Sequence, residues 1–137
     1  MSTILVGMNF SPSSEKALSK ACDIARLMSA NLHLLHVLEP VDDPDSRDPE
    51  TQQFYQTLEQ RSQEKMASAI LPYLGGTVEI SSSIRIGARH LTILQVANEM
   101  EAELVVLGSH PMSDEAPTFG TSHRVAVTSS RPVVLVP

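Results

Sequence analysis

The residues best suited to bind a ligand follow an apolar segment in the second half of the chain. Residues 102–106 are mainly apolar, and the small and polar residues that come after them are Gly108, Ser109, His110, Gly120, Thr121 and Ser122. A strand that breaks at a glycine and is followed by a Ser/Thr-rich helix start is how an α/β sheet builds a phosphate-sized pocket, because backbone N–H groups at a helix N-terminus attract anions. The pattern predicts an anion site in this part of the chain.

The elements that would position these residues alternate strictly between strand and helix. Apolar runs predict strands over residues 1–8, 32–38, 78–86, 104–107 and 133–136. Three- and four-residue apolar spacings predict helices over residues 12–30, 51–71, 88–100 and 120–130, and the acid- and proline-rich residues 39–50 predict a loop. This alternation predicts a Rossmann-like α/β fold with a parallel sheet and right-handed crossovers.

Start signals and apolar faces support the helices. Ser11 can cap the first helix, Pro12 suits its first position and Glu15 lies in its first turn. The apolar side chains expected to face the sheet are Ala17, Leu18, Ala21, Cys22, Ala25 and Met28 in the first helix, Phe54, Leu58, Met66, Ala69 and Ile70 in the second, and Leu91, Leu94 and Ala97 in the third.

Length, charge and cysteine content exclude several classes of protein. The 137 residues fit one domain spanning residues 1–137. A formal net charge of −6 argues against a nucleic-acid-binding face, which needs clustered Lys and Arg to neutralise phosphates. The single cysteine, Cys22, cannot form an internal disulfide, and no leader sequence or membrane-spanning run is evident. We expect a protein of the reducing cytoplasm that binds neither nucleic acid nor membrane.

The histidines and acids have structural interpretations beside the functional ones. His33 and His36 are three residues apart on a strand, so they face opposite sides and cannot share a metal ion. His110 can contact an anion when protonated or simply lie in solvent. Cys22 lies on an apolar helix face and is expected to be an unreactive, buried thiol. The acids of residues 42–48 lack the glycine and glutamate of a calcium loop. We therefore expect no metal site.

Five segments in register resemble the universal stress protein family over essentially the whole chain. They are residues 4–18, the strand end at residues 36–40, Ile86-Gly87, residues 102–110, and Ser122-His123-Arg124-Val125 leading to residues 132–136. The resemblance implies a five-stranded parallel sheet in the order 3-2-1-4-5 with helices on both faces. It also implies a homodimer through the last strand, whose residues Val133, Val134, Leu135 and Val136 carry no charge that would deter edge pairing.

The same resemblance implies an adenine-nucleotide site between strands 1 and 4. Nucleotide-binding members carry the pattern G-x-x-G-x9-G-[ST] after strand 4, and matching positions here are Gly108, Ser109, His110, Gly120, Thr121 and Ser122 for phosphates and Gly7, Asn9 and Val37 around adenine. This chain departs from the pattern. Pro111 replaces the second glycine and removes an N–H donor, the loop is one residue short, and Asp114 and Glu115 would repel a triphosphate. Asn9 also stands where the family's nucleotide binders usually have Asp at the end of strand 1.

The departures leave three functions to weigh. The first is a non-catalytic stress-response or regulatory module with an eroded nucleotide site, in which Asn9 simply forms an Asx turn. The second is a switch or slow ATPase that binds ATP or AMP, in which the Asn9 amide contacts the base. The third is a flavin-type electron carrier, which the low aromatic content disfavours. We expect the first, with an unknown regulatory protein as partner and no firmly bound cofactor.

Overall fold

The polypeptide alternates between strands and helices from its first element to its last. A computed structural model describes residues 2–41, 43–109 and 120–137. The strands are β1 (Thr3–Gly7), β2 (Asn31–Leu38), β3 (Ile80–Ile86), β4 (Leu104–Gly108) and β5 (Val133–Val136). The helices are α1 (Pro12–Met28), α2 (Pro49–Ile70, followed by a 3-10 turn at Leu71–Tyr73), α3 (Arg89–Glu99) and α4 (Thr121–Thr128).

The strands of the described residues form one parallel five-stranded sheet in the order β3-β2-β1-β4-β5. This confirms the predicted order. The chain runs from β1 outward to β3 on one side, then crosses back to β4 and continues outward to β5. The direction of winding therefore reverses between β1 and β4, and the loops after these two strands diverge there.

The start of α1 is fixed by its local sequence. The Ser11 Oγ accepts a hydrogen bond from the Ser14 N–H at 3.2 Å, Pro12 occupies the first turn and Glu15 adds a favourable negative charge there. The opposite end closes on Ser29 in the left-handed conformation. The predicted cap is confirmed, and it sets the position of the α1 N-terminus over the sheet.

Two apolar clusters hold helices to opposite faces of the sheet. Even-numbered residues of β1 and β2 contact α1 and α2, in a cluster that includes Ile4, Val6, Leu32, Leu34, Ala17, Leu18, Ala21 and Met66. Odd-numbered residues contact α3 and α4, in a cluster that includes Leu5, Leu35, Val37, Ile93, Val96, Ala97 and Val125. Both faces of the central strands are thus covered, as their continuous apolar sequence predicted.

Some predicted boundaries and buried side chains were wrong. Helix α2 begins at Pro49, two residues inside the predicted loop, and β3 begins at Ile80 rather than at residue 78. Phe54 is exposed and its neighbour Tyr55 is buried instead, while Leu91 and Met28 are also exposed. For these exposed side chains the apolar spacing allowed two neighbouring helix faces to be buried, and the helix rotation set by the sheet selects one of them.

Candidate functional site

The candidate crevice lies at the carboxyl ends of β1 and β4. Gly7 ends β1 and is followed by Asn9, and Gly108 ends β4 and is followed by Ser109. These four predicted residues therefore come from neighbouring strands of the sheet. His110 and the departures at Pro111, Asp114 and Glu115 lie outside the described residues.

Gly108 is required by the packing of β4 against α1. A Cβ atom at this position would lie 2.5 Å from the Ser13 carbonyl carbon, 2.6 Å from the Ser14 nitrogen and 2.8 Å from the Ser13 oxygen. All three are backbone atoms at the start of α1, so they cannot move aside as a side chain would. The close approach of strand and helix accounts for this glycine without any ligand.

Gly7, the glycine that ends β1, is less strictly required by packing. A Cβ at Gly7 would lie 2.4 Å from the Leu107 Cδ2, which is the end of a flexible side chain. Adjustment of Leu107 would relieve that contact, whereas the contacts at Gly108 have no such relief. Of the two glycines at the crevice, Gly108 is the one that the backbone arrangement demands.

The Ser109 amide already has a partner in the sheet. Its N–H donates to the Val136 carbonyl oxygen at 2.8 Å, extending the β4–β5 ladder by one residue. A backbone N–H donates one such bond, so phosphate binding by this amide would require that bond to break. The residue predicted as a phosphate donor instead anchors the last strand.

Asn9 forms a local turn between β1 and α1. Its side-chain oxygen accepts a hydrogen bond from the Ser11 N–H at 3.1 Å, which is the Asx turn that the sequence allowed. The next residue, Phe10, has a φ of 64°, a conformation that is costly for a bulky side chain. The Asn9 side chain thus helps the chain turn sharply from the strand into the helix.

The side chain of Val37 points away from the crevice. It is buried in the cluster under α3, because odd-numbered residues of β2 face that helix. A contact of Val37 with adenine, which stays a prediction, would therefore involve its backbone. The Val37 peptide, however, faces the β1 side of β2, since the Leu35 carbonyl two residues earlier accepts the Met8 N–H. The β1–β2 register ends at Leu35, so the peptide lies beyond it.

The start of α4 presents the second half of the predicted site. Gly120 is the N-cap, with no side-chain cap bond, and Thr121 and Ser122 open the helix. The first helical bond runs from the Arg124 N–H to the Gly120 carbonyl at 3.2 Å. Amides in a first helical turn point out of the helix end and favour a negative charge there. The predicted helix start is therefore present, and the role of these three residues in binding an anion stays a prediction.

His36 connects the ends of β1 and β2, a role the sequence did not indicate. Its Nδ1 lies 2.7 Å from the Met8 carbonyl oxygen, and since a carbonyl only accepts, Nδ1 carries the proton. The ring packs against Phe10 with centroids 4.8 Å apart, and Lys65 Nζ lies 5.6 Å from the Phe10 centroid. A cavity of about 460 Å³ opens beside these residues, lined by Phe10, Glu15, Arg61, Glu64, Lys65, Ser68 and Ala69.

His33 lies on the opposite face of β2, as predicted. Its ring nitrogens lie 2.7 Å from the Ser81 Oγ and 2.8 Å from the Ser83 Oγ. Since the two histidines face opposite sides, they cannot share a metal ion. Within the described ranges no group of three His, Cys, Asp or Glu side chains is arranged to hold a metal. Cys22 is buried, and burial raises the pKa of its thiol.

The two β2 histidines should make folding sensitive to mild acid. Burial lowers the pKa of both side chains, with nearby Arg85 adding to the effect at His33; at His36 the hydrogen bond to Met8 opposes it. A folded-state pKa below the unfolded value means that the unfolded chain binds protons first as pH falls. The unfolding free energy should therefore decrease from about pH 6.5 downward.

Urea denaturation between about pH 7.5 and 5.5 tests this sensitivity. His36→Gln removes one titrating group, so its pH slope should be roughly half that of the wild type. The double variant His33→Gln/His36→Gln should show almost no slope in this range. A double variant that loses stability on acidification as steeply as the wild type would contradict the assignment.

Comparison with known proteins identifies similar sequences and folds. The model of the universal stress protein family matches residues 1–137. Universal stress protein UspA from Lactobacillus plantarum superposes with a TM-score of 0.84 at 21% identity, covering 99% of this chain and 97% of that one. No curated protein sequence matches the chain.

Two further structures of similar fold contain nucleotides. A universal stress protein in complex with cAMP has a TM-score of 0.66 at 23% identity, over 99% of this chain and 97% of that one. The universal stress protein from Archaeoglobus fulgidus in complex with dAMP has a TM-score of 0.67 at 20% identity, over 100% of this chain and 98% of that one. At these identities the likeness establishes the fold.

Proposed function

Since this chain belongs to the universal stress protein family, we propose that it is a non-catalytic stress-response or regulatory module with an eroded adenine-nucleotide site. The observation that carries this proposal is the bond from the Ser109 N–H to the Val136 carbonyl, which uses a predicted phosphate donor within the sheet. Gly108 has a packing role against α1, and the Asn9 oxygen is used in a turn. Three predicted ligand contacts thus serve the fold.

The sequence between β4 and α4 supports the same conclusion. Pro111 has no N–H to offer at the second glycine position, and Asp114 and Glu115 add negative charge where phosphates would approach. In the nucleotide-binding pattern the second glycine supplies a backbone N–H donor at this position. These changes reduce affinity for a triphosphate without affecting the sheet.

The residues that follow β1 and β4 also argue against hydrolysis. Phosphoryl transfer usually needs a carboxylate to hold Mg²⁺ and a group to orient water. Among the described residues, Asn9 and Ser109 follow the two strands, and neither side chain is a carboxylate. We therefore propose no catalytic residues and no metal.

A nucleotide-binding switch is the second candidate, and two observations favour it. The Val37 peptide faces the space beyond the end of β1, where backbone groups can contact the edge of a base. Gly120, Thr121 and Ser122 keep a helix start suited to a phosphate. Structures of the same fold hold cAMP and dAMP. AMP, with one phosphate, is a better match than ATP to the single helix terminus.

Calorimetric titration with Mg-ATP and with AMP tests the eroded site. We expect no complex of micromolar or tighter affinity with either nucleotide. The double variant Asn9→Asp/Pro111→Gly restores the family pattern at two positions and should raise ATP affinity at least about ten-fold, or ~1.4 kcal/mol. A tight one-to-one complex with the wild-type protein would overturn the proposal in favour of the switch.

A matched control keeps the result specific to the crevice. Asn98→Asp/Pro72→Gly makes the same two exchanges at exposed positions, near the end of α3 and in the 3-10 turn after α2, and should leave nucleotide affinity unchanged. If the restored variant gains nothing, the short loop or its acids must be the obstacle, and the claim that Pro111 and Asn9 weaken binding is wrong.

We further propose a homodimer through β5 and a cytoplasmic location. Strand β5 lies at one end of the sheet of the described residues and carries four apolar side chains. A two-fold axis that pairs this edge with its copy would cover its open backbone groups. The single buried cysteine suits a reducing compartment. Within the ranges described, no helix is long and apolar enough to cross a membrane.

A further inference from the structure

The opposite edge of the sheet, at β3, also exposes a row of backbone groups. The Leu32 N–H donates to the Glu79 carbonyl and the Gly87 N–H donates to the Leu38 carbonyl, both at 2.9 Å. These bonds fix the odd-numbered peptides of β3 toward β2. By the alternation of a strand, the peptides of Ile80, Ser82 and Ile84 face away from the sheet. No other strand of the described chain pairs with them.

A groove runs along this edge beneath α2. The cavity measures about 470 Å³ and is lined by Glu59, Gln63, Met66, Ala67, Ile70, Leu74, Ser82, Ser83 and Ile84. Leu74 is 63% exposed at its margin, and Leu71 nearby is 66% exposed. Unpaired backbone groups beside an apolar groove are the two features by which sheets accept an additional strand.

We propose that this edge pairs antiparallel with β3 of a second copy of the chain, about a two-fold axis at Ser82. In this register the outward peptides of both strands meet in hydrogen-bonded pairs, with Ser82 opposite its own copy and Ile80 opposite Ile84. The even-numbered side chains of both copies then lie on the α2 face, beside the two grooves. Ser81 faces Ser83 on the other side of the sheet.

The charges beside β3 favour a second copy of this chain as the partner and Ser82 as the position of the two-fold axis. Glu79 and Arg85 are equally far from Ser82, on the α3 face, so each opposes the other across the axis, and this happens twice. Arg85 already binds Glu99 at 2.8 Å, and the remaining N–H groups of its guanidinium can donate hydrogen bonds to a second carboxylate. An axis at Ser81 or Ser83 would instead oppose Arg85 with Thr77 or Ser81. Only the Ser82 register among these three pairs the charges.

Pairing at β3 is independent of the proposed nucleotide site and of pairing at β5. Each contact is a two-fold one, and the two lie on opposite edges of the sheet. If both form, each copy contacts two others, so the assembly contains more than two copies. The test therefore needs a background in which β5 cannot pair. Val133→Pro provides it, because the Val133 nitrogen faces away from β4 and its loss leaves the β4–β5 bonds in place.

Disulfide trapping of Ser82→Cys in the Val133→Pro background tests the register. Cα atoms of a hydrogen-bonded antiparallel pair are about 5.5 Å apart, which is within the roughly 4.4–6.8 Å span of a disulfide. Cys22 is buried and does not compete. Mild oxidation should convert most of the variant to a covalent dimer. In the matched control, Ser81→Cys, the new cysteine faces Ser83 of the copy and should not cross-link, whereas a mixture of Ser81→Cys and Ser83→Cys should cross-link.

Sedimentation of proteins without added cysteine tests the charges. The Val133→Pro protein should self-associate, and adding Glu79→Lys, which places Lys opposite Arg85, should weaken the association at least about ten-fold. Glu103→Lys makes the same charge change away from the edge and should have no effect. A monomeric Val133→Pro protein, or equal trapping of the Ser81 and Ser82 cysteines, would overturn the proposal and leave this edge for a strand of another protein.

Discussion

Replacing Gly108 by alanine is expected to lower the free energy of unfolding by about 3 kcal/mol. The added methyl group would lie 2.5–2.8 Å from backbone atoms of Ser13 and Ser14. Since neither a strand backbone nor a helix backbone can rotate away, β4 and the start of α1 must separate. That separation would disturb the packing of both elements, and urea denaturation of the two proteins measures its cost.

Gly120→Ala is the matched control for this substitution. A Cβ at Gly120 meets nothing within 4 Å, and the residue has an extended conformation that alanine can adopt. We expect a loss of less than about 1 kcal/mol, which reflects alanine as a poorer N-cap. If Gly108→Ala were as stable as Gly120→Ala, the packing explanation for Gly108 would be wrong and a ligand-binding role would regain support.

Blocking the outer edge of β5 is expected to convert the proposed dimer to monomers. The bonds from Val105 to the Pro132 carbonyl and from Ser109 to the Val136 carbonyl place the peptides of Val133 and Leu135 on the open side of β5. Val133→Pro removes an outward donor and puts a ring where the second strand would lie. In a Ser82→Pro background, in which β3 cannot pair, light scattering at micromolar concentration should give a dimer, and adding Val133→Pro should give a monomer.

Two further variants separate edge pairing from a loss of folding. In the Ser82→Pro background Val134→Lys should also give monomers, but with lower thermal stability, because Val134 packs against the α1 side of the core. Ser82→Pro makes a proline substitution at the opposite edge and should leave the β5 dimer intact. A Ser82→Pro protein that is already monomeric, or a Ser82→Pro/Val133→Pro protein that stays dimeric, would refute pairing through β5.

The order of the strands and the start of α1 could be predicted from the sequence because their signals are local or repeated. Alternating strands and helices restrict the crossovers, and the family resemblance implied the position of each strand in the sheet. Ser11, Pro12 and Glu15 act within one helical turn, so no distant contact was needed to place them. The same holds for His33 and His36, whose opposite faces follow from strand geometry alone.

Side-chain burial was less predictable where two helix faces were almost equally apolar. Phe54 and Tyr55 are adjacent, and either could have faced the core. The packing of the folded chain decides that Tyr55 is buried and Phe54 exposed. Leu91 shows the same limit, since helix rotation depends on distant partners.

The family, the parallel sheet and the identities of the crevice residues could be predicted from the sequence, because the alternation of elements indicates the sheet and the resemblance to the family implies the rest. How those residues are used depends on the folded chain. The glycine at 108 fits against α1, the Ser109 amide bonds to β5, and the outward peptides of β3 lie beside a groove under α2. Each of these contacts joins segments that are far apart in the chain. Packing sets the distances between such segments, and no local sequence pattern predicts them.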